Sequence, residues 1–113
     1  MYTQQDCTGF IKPTRDVLEI INGKWRLPIL ISLAFGSKRF NELEKDVAGI
    51  TPKMLSKDLQ ELEINELITR RVHENNLQNV EYALTEHGKS LFDVTEVIRD
   101  WGNKHREKLF RKG

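Results

Sequence analysis

The sequence predicts a mainly α-helical domain that carries one small β-hairpin. Apolar residues recur at helical spacing along most of the 113-residue chain. After four such helical stretches, two short strand-like runs flank one turn-rich segment, 74–79. A chain of this length suits one domain, so residues 1–113 are expected to fold together.

Composition and charge narrow the class of protein. Charged residues make up 31% of the chain and apolar residues 38%, and the formal net charge is +1. This balance suits a helical domain with a charged surface, but it gives nucleic-acid binding only weak support. No apolar run is long enough to span a bilayer, and the N-terminus lacks the features of a signal peptide. The single Cys7 excludes an internal disulfide and suits a reducing cytoplasm.

The first two helices are expected in the N-terminal third. Lys12-Pro13-Thr14 has the composition of a helix start, with Thr14 as the cap. Asn22-Gly23 would end that helix. The most apolar stretch, from Trp25 to Phe35, predicts a central helix that is buried on most sides. Gly36-Ser37-Lys38 predicts a turn.

A short amphipathic helix follows. Phe40, Leu43 and Val47 are spaced i, i+3 and i+7, and Gly49 would stop the helix that they define. Lys38 and Arg39 precede this helix and are placed to hold backbone phosphates of a nucleic acid. Asn41, near its N-terminus, is a candidate cap, a candidate phosphate donor, or both.

The next helix is predicted over about residues 51–65, with Thr51 as N-cap and Pro52 at the first helical position. Leucines at positions 55, 59 and 62 mark its buried face. The side chains on its other faces are candidate DNA contacts, together with Thr51: Lys53, Met54, Ser56, Lys57 and Gln60. Lys53 and Lys57 are one turn apart and suit phosphates or guanine edges. The same residues also suit an ordinary solvated helix face.

A hairpin and a long final helix complete the chain. Leu67–His73 and Val80–Leu84 predict its two strands, so the hairpin covers about residues 67–84. Thr85 would cap a last helix over about residues 86–110. Two short helices joined by a glycine-containing turn, then a hairpin, are the order of a winged helix-turn-helix. Arg70 and Arg71 fall on opposite strand faces, so only one at a time can lie toward a groove.

The last helix carries a wider apolar face than one small core needs. Its members are Leu91, Val94, Ile98 and Trp101, and Gly102 follows inside the helix. A glycine there costs about 1 kcal/mol relative to alanine. Close approach of a second helix would explain both features, and a plainly tolerated glycine is the alternative. We therefore expect a dimer seam on this helix.

The sequence contains no constellation typical of an enzyme or a metal site. His73, His87 and His105 are scattered, and no glycine-rich phosphate loop is present. No base is evident beside Cys7 to activate it for nucleophilic catalysis. Neither a catalytic residue nor a cofactor is expected.

The motifs resemble those of the HxlR-type family of bacterial transcriptional regulators, relatives of the MarR group. The matching segments keep that family's order and spacing over nearly the whole chain. They are Cys7 shortly before the first helix, Gly23-Lys24-Trp25 with Pro28-Ile29-Leu30, Arg39-Phe40-Asn41-Glu42-Leu43, Gly49-Ile50-Thr51-Pro52-Lys53-Met54-Leu55, Leu59 with Leu62-Glu63, Val80-Glu81-Tyr82 and Leu84-Thr85.

This resemblance implies a homodimer built from the first and last helices, which would place Val17 and Ile21 in the seam with the apolar face of the last helix. It also implies a palindromic double-stranded DNA operator, with the helix from Pro52 in the major groove and the hairpin against the flanking minor groove or backbone. Several members of the family sense electrophiles or oxidants through an N-terminal cysteine. Cys7 occupies that position, so an electrophile or another small molecule is an expected inducer.

Three details refine the resemblance. Many members have a Pro-Pro-Arg or Pro-Pro-Lys run where this chain has Leu77-Gln78-Asn79, so the wing-tip cation is missing. A glycine often precedes the apolar pair after the reading helix, whereas Glu66 stands here and Asn65 is expected to take the turning role. A reactive thiol needs a helix N-terminus or nearby cations, for which the candidates are Lys12, Arg15 and Lys24.

Two functions follow from the sequence. The first is a DNA-binding regulator that acts as a homodimer and responds to modification of Cys7 or to a small ligand. The second is a winged helix used only for protein–protein contact, which the near-neutral net charge mildly favours.

Overall fold

The computed structural model describes residues 4–73 and 79–110, which form a mostly helical fold with a small antiparallel sheet. The elements in chain order are α1 (Gln4–Ile20), α2 (Arg26–Ala34), β1 (Lys38–Arg39), α3 (Phe40–Asp46), α4 (Pro52–Ile64), β2 (Ile68–Val72), β3 (Val80–Leu84) and α5 (Glu86–Phe110). The predicted fold class, the α3-turn-α4 unit and the hairpin of β2 and β3 are confirmed. Part of the predicted turn, residues 74–78, lies outside the described residues.

The first helix begins earlier than expected. α1 starts at Gln4, and Pro13 lies inside it. A proline ring inside a helix crowds the carbonyl of the residue four positions earlier, which here is the exposed Gly9. Thr14 is not a cap, because its hydroxyl donates to the carbonyl of Phe10 at 2.6 Å. Cys7 therefore lies within α1 rather than before it.

The sheet contains one strand more than the predicted hairpin. Lys38 and Arg39 form β1, which pairs antiparallel with β3 and aligns Lys38 with Tyr82 and Arg39 with Glu81. The strand order is β1-β3-β2. A two-residue strand is too short to show alternation, so the sequence predicted only a turn there.

One hydrophobic core unites α2, α3, α4 and the sheet. Its buried residues are Ile29, Leu30, Leu33, Leu43, Val47, Ile50, Leu55, Leu59, Leu62, Leu67 and Ile68. Trp25, Phe40 and Tyr82 are half-buried and pack against it. This core covers the inner sides of α3 and α4 and leaves their outer sides exposed.

The turn after α4 uses Glu66, and not Asn65 as the sequence analysis expected. Asn65 has φ −83°, whereas Glu66 has φ +60°. The prediction that Asn65 takes the turning role is therefore wrong, and Glu66 itself adopts the left-handed conformation. The backbone N–H of Leu67 then donates to the carbonyl of Leu62 at 3.0 Å, which closes the turn.

The start of α5 is joined closely to the start of β2. The Thr85 hydroxyl accepts from the N–H of Gly88 at 2.9 Å, so the predicted cap is confirmed. The same hydroxyl donates to the carbonyl of Glu66 at 2.6 Å, and the Thr85 N–H donates to the carbonyl of Leu67 at 3.0 Å. A Cβ atom at Gly88 would lie 2.1 Å from the Leu67 carbonyl oxygen. Only a glycine allows this approach.

Gly88→Ala should lower the free energy of unfolding by about 1–3 kcal/mol, because the new methyl group must displace the backbone of Leu67. Chemical denaturation at one fixed protein concentration measures the change. The matched control is Gly9→Ala in α1, where a Cβ atom would meet nothing within 4 Å. An unchanged free energy in Gly88→Ala would contradict the close approach.

Candidate nucleic-acid interface

The turn between α3 and α4 is set by local backbone chemistry. The N–H of Val47 donates to the carbonyl of Leu43 at 2.9 Å, and the N–H of Ile50 donates to that of Val47 at 3.2 Å. Gly49 has φ +95°, a conformation that residues with a Cβ atom rarely adopt. Ile50 is buried after it and anchors the turn to the core. The chain then leaves the turn in the direction of α4.

The start of α4 is as the sequence predicts. The Thr51 hydroxyl accepts from the N–H of Met54 at 3.2 Å, and Pro52 occupies the first turn. Leu55, Leu59 and Leu62 are at most 2% exposed. Asp58 lies on the same buried face, a position that the leucine pattern did not reveal.

The outer side of α4 presents the predicted polar residues to solvent. At about 100° per residue, the exposed Ile64 in the last turn lies directly opposite the leucines, as do three residues that we call the outer row, Lys53, Lys57 and Gln60. All three are exposed. Ser56 and Met54 are exposed on the two flanks of this row. The first two turns of the helix thus offer two cations and several hydrogen-bonding groups on one surface.

The charges of α4 run against the helix dipole. Its first turn holds no acidic residue and its last turn no basic residue, with Lys53 and Lys57 in the first half and Glu61 and Glu63 in the second. A helix is stabilised by the opposite arrangement, at about 0.3–1 kcal/mol for each charge. A bound phosphate, in contrast, is stabilised by both the lysines and the free N–H groups at the helix start. The arrangement suits an anionic partner better than it suits the isolated helix.

Lys38 and Arg39 have different surroundings. The ammonium group of Lys38 contacts the carboxylate of Asp46 and lies 3.1 Å from the Ser32 hydroxyl. Ser32 in turn donates to Asp46 at 2.7 Å. These hydrogen bonds from Lys38 and Ser32 lower the pKa of the Asp46 carboxyl below its ordinary value. Lys38 thus holds β1 to α2 and α3, which leaves the exposed Arg39 as the better phosphate contact of the two.

Asn41 is exposed in the first turn of α3, but it is not the cap of that helix. Arg39 holds the N-cap position, and its backbone N–H donates to the Glu42 carboxylate at 2.8 Å. The Asn41 side chain therefore has only the second of its two expected roles open, that of a phosphate donor.

The hairpin places its two arginines on opposite faces, as alternation predicts. Arg70 lies opposite Tyr82 and Arg71 opposite Glu81, and both arginines are exposed. The face of Arg71 also holds His73, whose Nε2 lies 2.9 Å from the Glu81 carboxylate. The charge of Arg71 thus has an acidic cross-strand neighbour, whereas that of Arg70 faces an aromatic ring. The wing-tip positions Leu77 and Gln78 lie outside the described residues.

Cys7 is exposed near the start of α1, but the cations considered for it lie elsewhere. Arg15 is eight residues along the helix, a rise of about 12 Å, and Lys12 points about 140° away around the axis. Lys24 lies beyond the end of α1, where its ammonium group is 4.8 Å from the Trp25 ring centroid. Within one chain, none of these three cations adjoins the thiol.

The faces expected to form a dimer are largely exposed. Val94, Ile98 and Trp101 on α5 and Val17 on α1 are at least 36% exposed, and Ile21 is half-buried. A Cβ atom at Gly102 would meet nothing within 4 Å. Leu91 differs, because it packs against the core of its own chain. Leu18, which belongs to the same apolar stripe of the sequence as Val17 and Ile21, is exposed as well. Further exposed apolar side chains extend these faces, and sequence periodicity had not selected them: Phe10, Ile11, Val97 and Phe110.

Over residues 4–73 and 79–110, no group of three or more His, Cys, Asp or Glu side chains is placed to hold a metal ion. In the same part of the chain, no helix combines the length and the apolar character that crossing a membrane requires.

Comparison with known proteins identifies the family. A family model described as the HxlR-like helix-turn-helix matches residues 20–110. The chain belongs to this family. Members of the family that resemble it are described as HTH-type transcriptional regulators, a class of regulators rather than of enzymes.

One relative within this family is YdeP of Bacillus subtilis, described as an uncharacterized HTH-type transcriptional regulator. It is 40% identical over 108 residues, which cover 96% of this chain and 83% of YdeP. Among solved structures, the reduced form of the redox regulator HypR has a TM-score of 0.81 and 34% identity, over 89% of this chain and 100% of HypR. Quinone-bound YodB from B. subtilis has a TM-score of 0.72 and 32% identity, over 81% of this chain and 97% of YodB.

Proposed function

We propose that this HxlR-family chain is a homodimeric transcriptional regulator that inserts α4 into the major groove of a palindromic operator. The observation that carries the proposal is the charge layout of α4. Lys53 lies in the first turn, where the helix dipole disfavours a cation and where a phosphate would be bound, and Lys57 lies one turn further along the same side. Such a regulator must reach DNA, which implies a location in the cytoplasm.

The outer row and the residues around it would contact different parts of the DNA. Lys53, Lys57 and Gln60 face away from the core and suit base edges and phosphates in the groove. Thr51, Ser56 and Met54 border them. Arg39, Asn41 and Arg70 lie on the neighbouring elements, where they suit backbone phosphates. Two such surfaces in a two-fold dimer would read half-sites about 10 base pairs apart.

The homodimer is supported by α1. None of its described residues is buried, although Phe10 and Leu18 expose 58% and 60% of their surfaces. A helix with so little tertiary packing is only marginally stable in water, because most of the stability of a helix in a protein comes from packing. Packing α1 and α5 of one chain against those of a second would cover these apolar side chains and stabilise α1.

The Cys7 switch is supported by its exposure, by its place on the proposed dimer helix, and by two structural neighbours. HypR is described as a redox regulator, and YodB has been solved with a bound quinone. A group added to Cys7 would lie on α1 and would alter its packing against the partner chain. Since Lys12, Arg15 and Lys24 do not adjoin Cys7, a cation of the partner chain is our candidate for activating the thiol.

Lys53→Ala and Lys57→Ala should each weaken operator binding, and each should reduce the slope of log affinity against log salt by about one unit if the lysine contacts a phosphate. Fluorescence anisotropy over a salt series measures both quantities. Lys104→Ala on α5 is the matched control, because it removes one exposed cation far along the last helix.

An unchanged DNA affinity in the Lys53/Lys57 double variant would remove α4 as the reading helix. The rival function, protein–protein contact alone, predicts that the wild-type chain retains no fragment of genomic DNA in filter binding.

Trp101→Ala should weaken self-association, because the indole is 65% exposed in the single chain and lies at the centre of the α5 face. Sedimentation equilibrium at micromolar concentration measures the dissociation constant. Ile64→Ala, which removes a 72% exposed apolar side chain from α4, is the control. A wild-type chain that sediments as a monomer would rule out the dimer.

Treatment with a quinone or with the disulfide-forming reagent diamide should change operator affinity, and Cys7→Ser should abolish that change because the chain has no other thiol. Electrophoretic mobility shift before and after treatment measures the response. An equal response in Cys7→Ser would disprove the switch.

A further inference from the structure

One side chain joins three helices at the base of the proposed reading unit. Arg26, the first residue of α2, donates from its Nη1 to the carbonyls of Glu19 at 3.4 Å and Ile20 at 3.3 Å, at the end of α1. Its Nε donates to the Asp58 carboxylate at 3.4 Å, on the buried face of α4. Helix α1 is therefore tied to α4 through one guanidinium group.

Withdrawing the Asp58–Arg26 ion pair from water lowers the stability of the fold. The Asp58 side chain is 9% exposed and that of Arg26 is 18% exposed, so both charges are largely withdrawn from water. A buried ion pair is often less stabilising than apolar side chains of similar volume, and the other buried positions of α4 are leucines. Stability alone would favour a fourth apolar residue at position 58. A need to fix the position of α4 relative to α1 explains the Arg26–Asp58 pair better than a contribution to stability does.

Arg26 supplies the positive charge that the C-terminal end of α1 lacks. The last turn of α1 contains no basic residue of its own and includes Glu19, an unfavourable charge for the negative end of the helix dipole. None of the described residues of α1 is buried, and Ile20 is half-buried where it packs against the core. Arg26 is therefore a principal connection between α1 and the rest of the chain.

Asp58 directly follows Lys57 and lies between Leu55 and Leu59 on the inner face of α4. A shift of its carboxylate would turn or translate α4 and with it the outer row. We propose that Arg26 and Asp58 are positioning residues that couple the orientation of α1 to that of the reading helix. This inference rests on the proposed function, in which α1 forms the dimer seam and α4 reads DNA.

The first test measures geometry without DNA. In a Cys7→Ser background, spin labels are attached to Asp16→Cys on α1 and Glu63→Cys on α4, both exposed sites, and labelled chains are diluted with unlabelled Cys7→Ser chains. Pulsed electron resonance should give a narrow distance distribution in the parent. Arg26→Met and Asp58→Leu should each broaden or displace it. Asp46→Asn, which weakens the partly exposed Lys38–Asp46 ion pair outside α1 and α4, should leave it unchanged.

The second test measures recognition. In Arg26→Met and Asp58→Leu, the ratio of operator affinity to random-sequence affinity should fall about tenfold. The salt dependence should stay constant, because the phosphate-contacting side chains are intact. A merely structural role would lower the unfolding temperature and leave this ratio unchanged in chains that remain folded. Circular dichroism confirms folding, and the double variant, which leaves neither charge unpaired, replaces a single variant that unfolds.

The outcomes separate the two claims. Unchanged distance distributions in the folded variants would overturn the coupling, as would an unchanged specificity ratio beside a broadened distribution. A wild-type chain that selects no operator would refute the proposed function, and the distance measurement alone would then decide whether the pair positions α4.

Discussion

The burial of three leucines along one side of α4 determines where every other side chain on that helix points. Leu55, Leu59 and Leu62 are almost completely removed from water, and each contributes about 1.5–3 kcal/mol to folding. Rotating α4 about its axis would expose them, so the outer row has one available direction. Gly49 and the Thr51 cap determine where the helix begins. The candidate DNA surface is thus a consequence of core packing.

Features governed by local chemistry could be predicted from the sequence. The Thr51-Pro52 start of α4, the Thr85 cap of α5 and the β2–β3 hairpin each follow from a few adjacent residues and their periodicity. The start of α1 could not be predicted in this way. A proline inside a helix lacks the N–H and crowds the carbonyl four residues earlier, so Pro13 indicated a helix start and not the interior position that it holds.

Features that depend on partners far apart in the sequence could not be predicted from it. Lys38 looked like a free cation because its partner Asp46 is on the next helix, and Asp58 looked like an ordinary polar residue because Arg26 is 32 positions away. Gly88 was overlooked, since its closeness to Leu67 depends on how α5 meets β2. The net charge of +1 was equally uninformative, because what matters is that the lysines of α4 precede its glutamates.

Helix α1 has no buried side chain among its described residues, yet it carries both Cys7 and the proposed seam. In the proposed dimer α1 becomes ordered only when two chains associate. The folding of this segment therefore depends on the concentration of the protein. In a cell that holds little of the protein, α1 of most chains would sample many conformations. The environment of the thiol would then be created only where two chains meet. Abundance, and not chemistry alone, would determine when such a sensor is assembled.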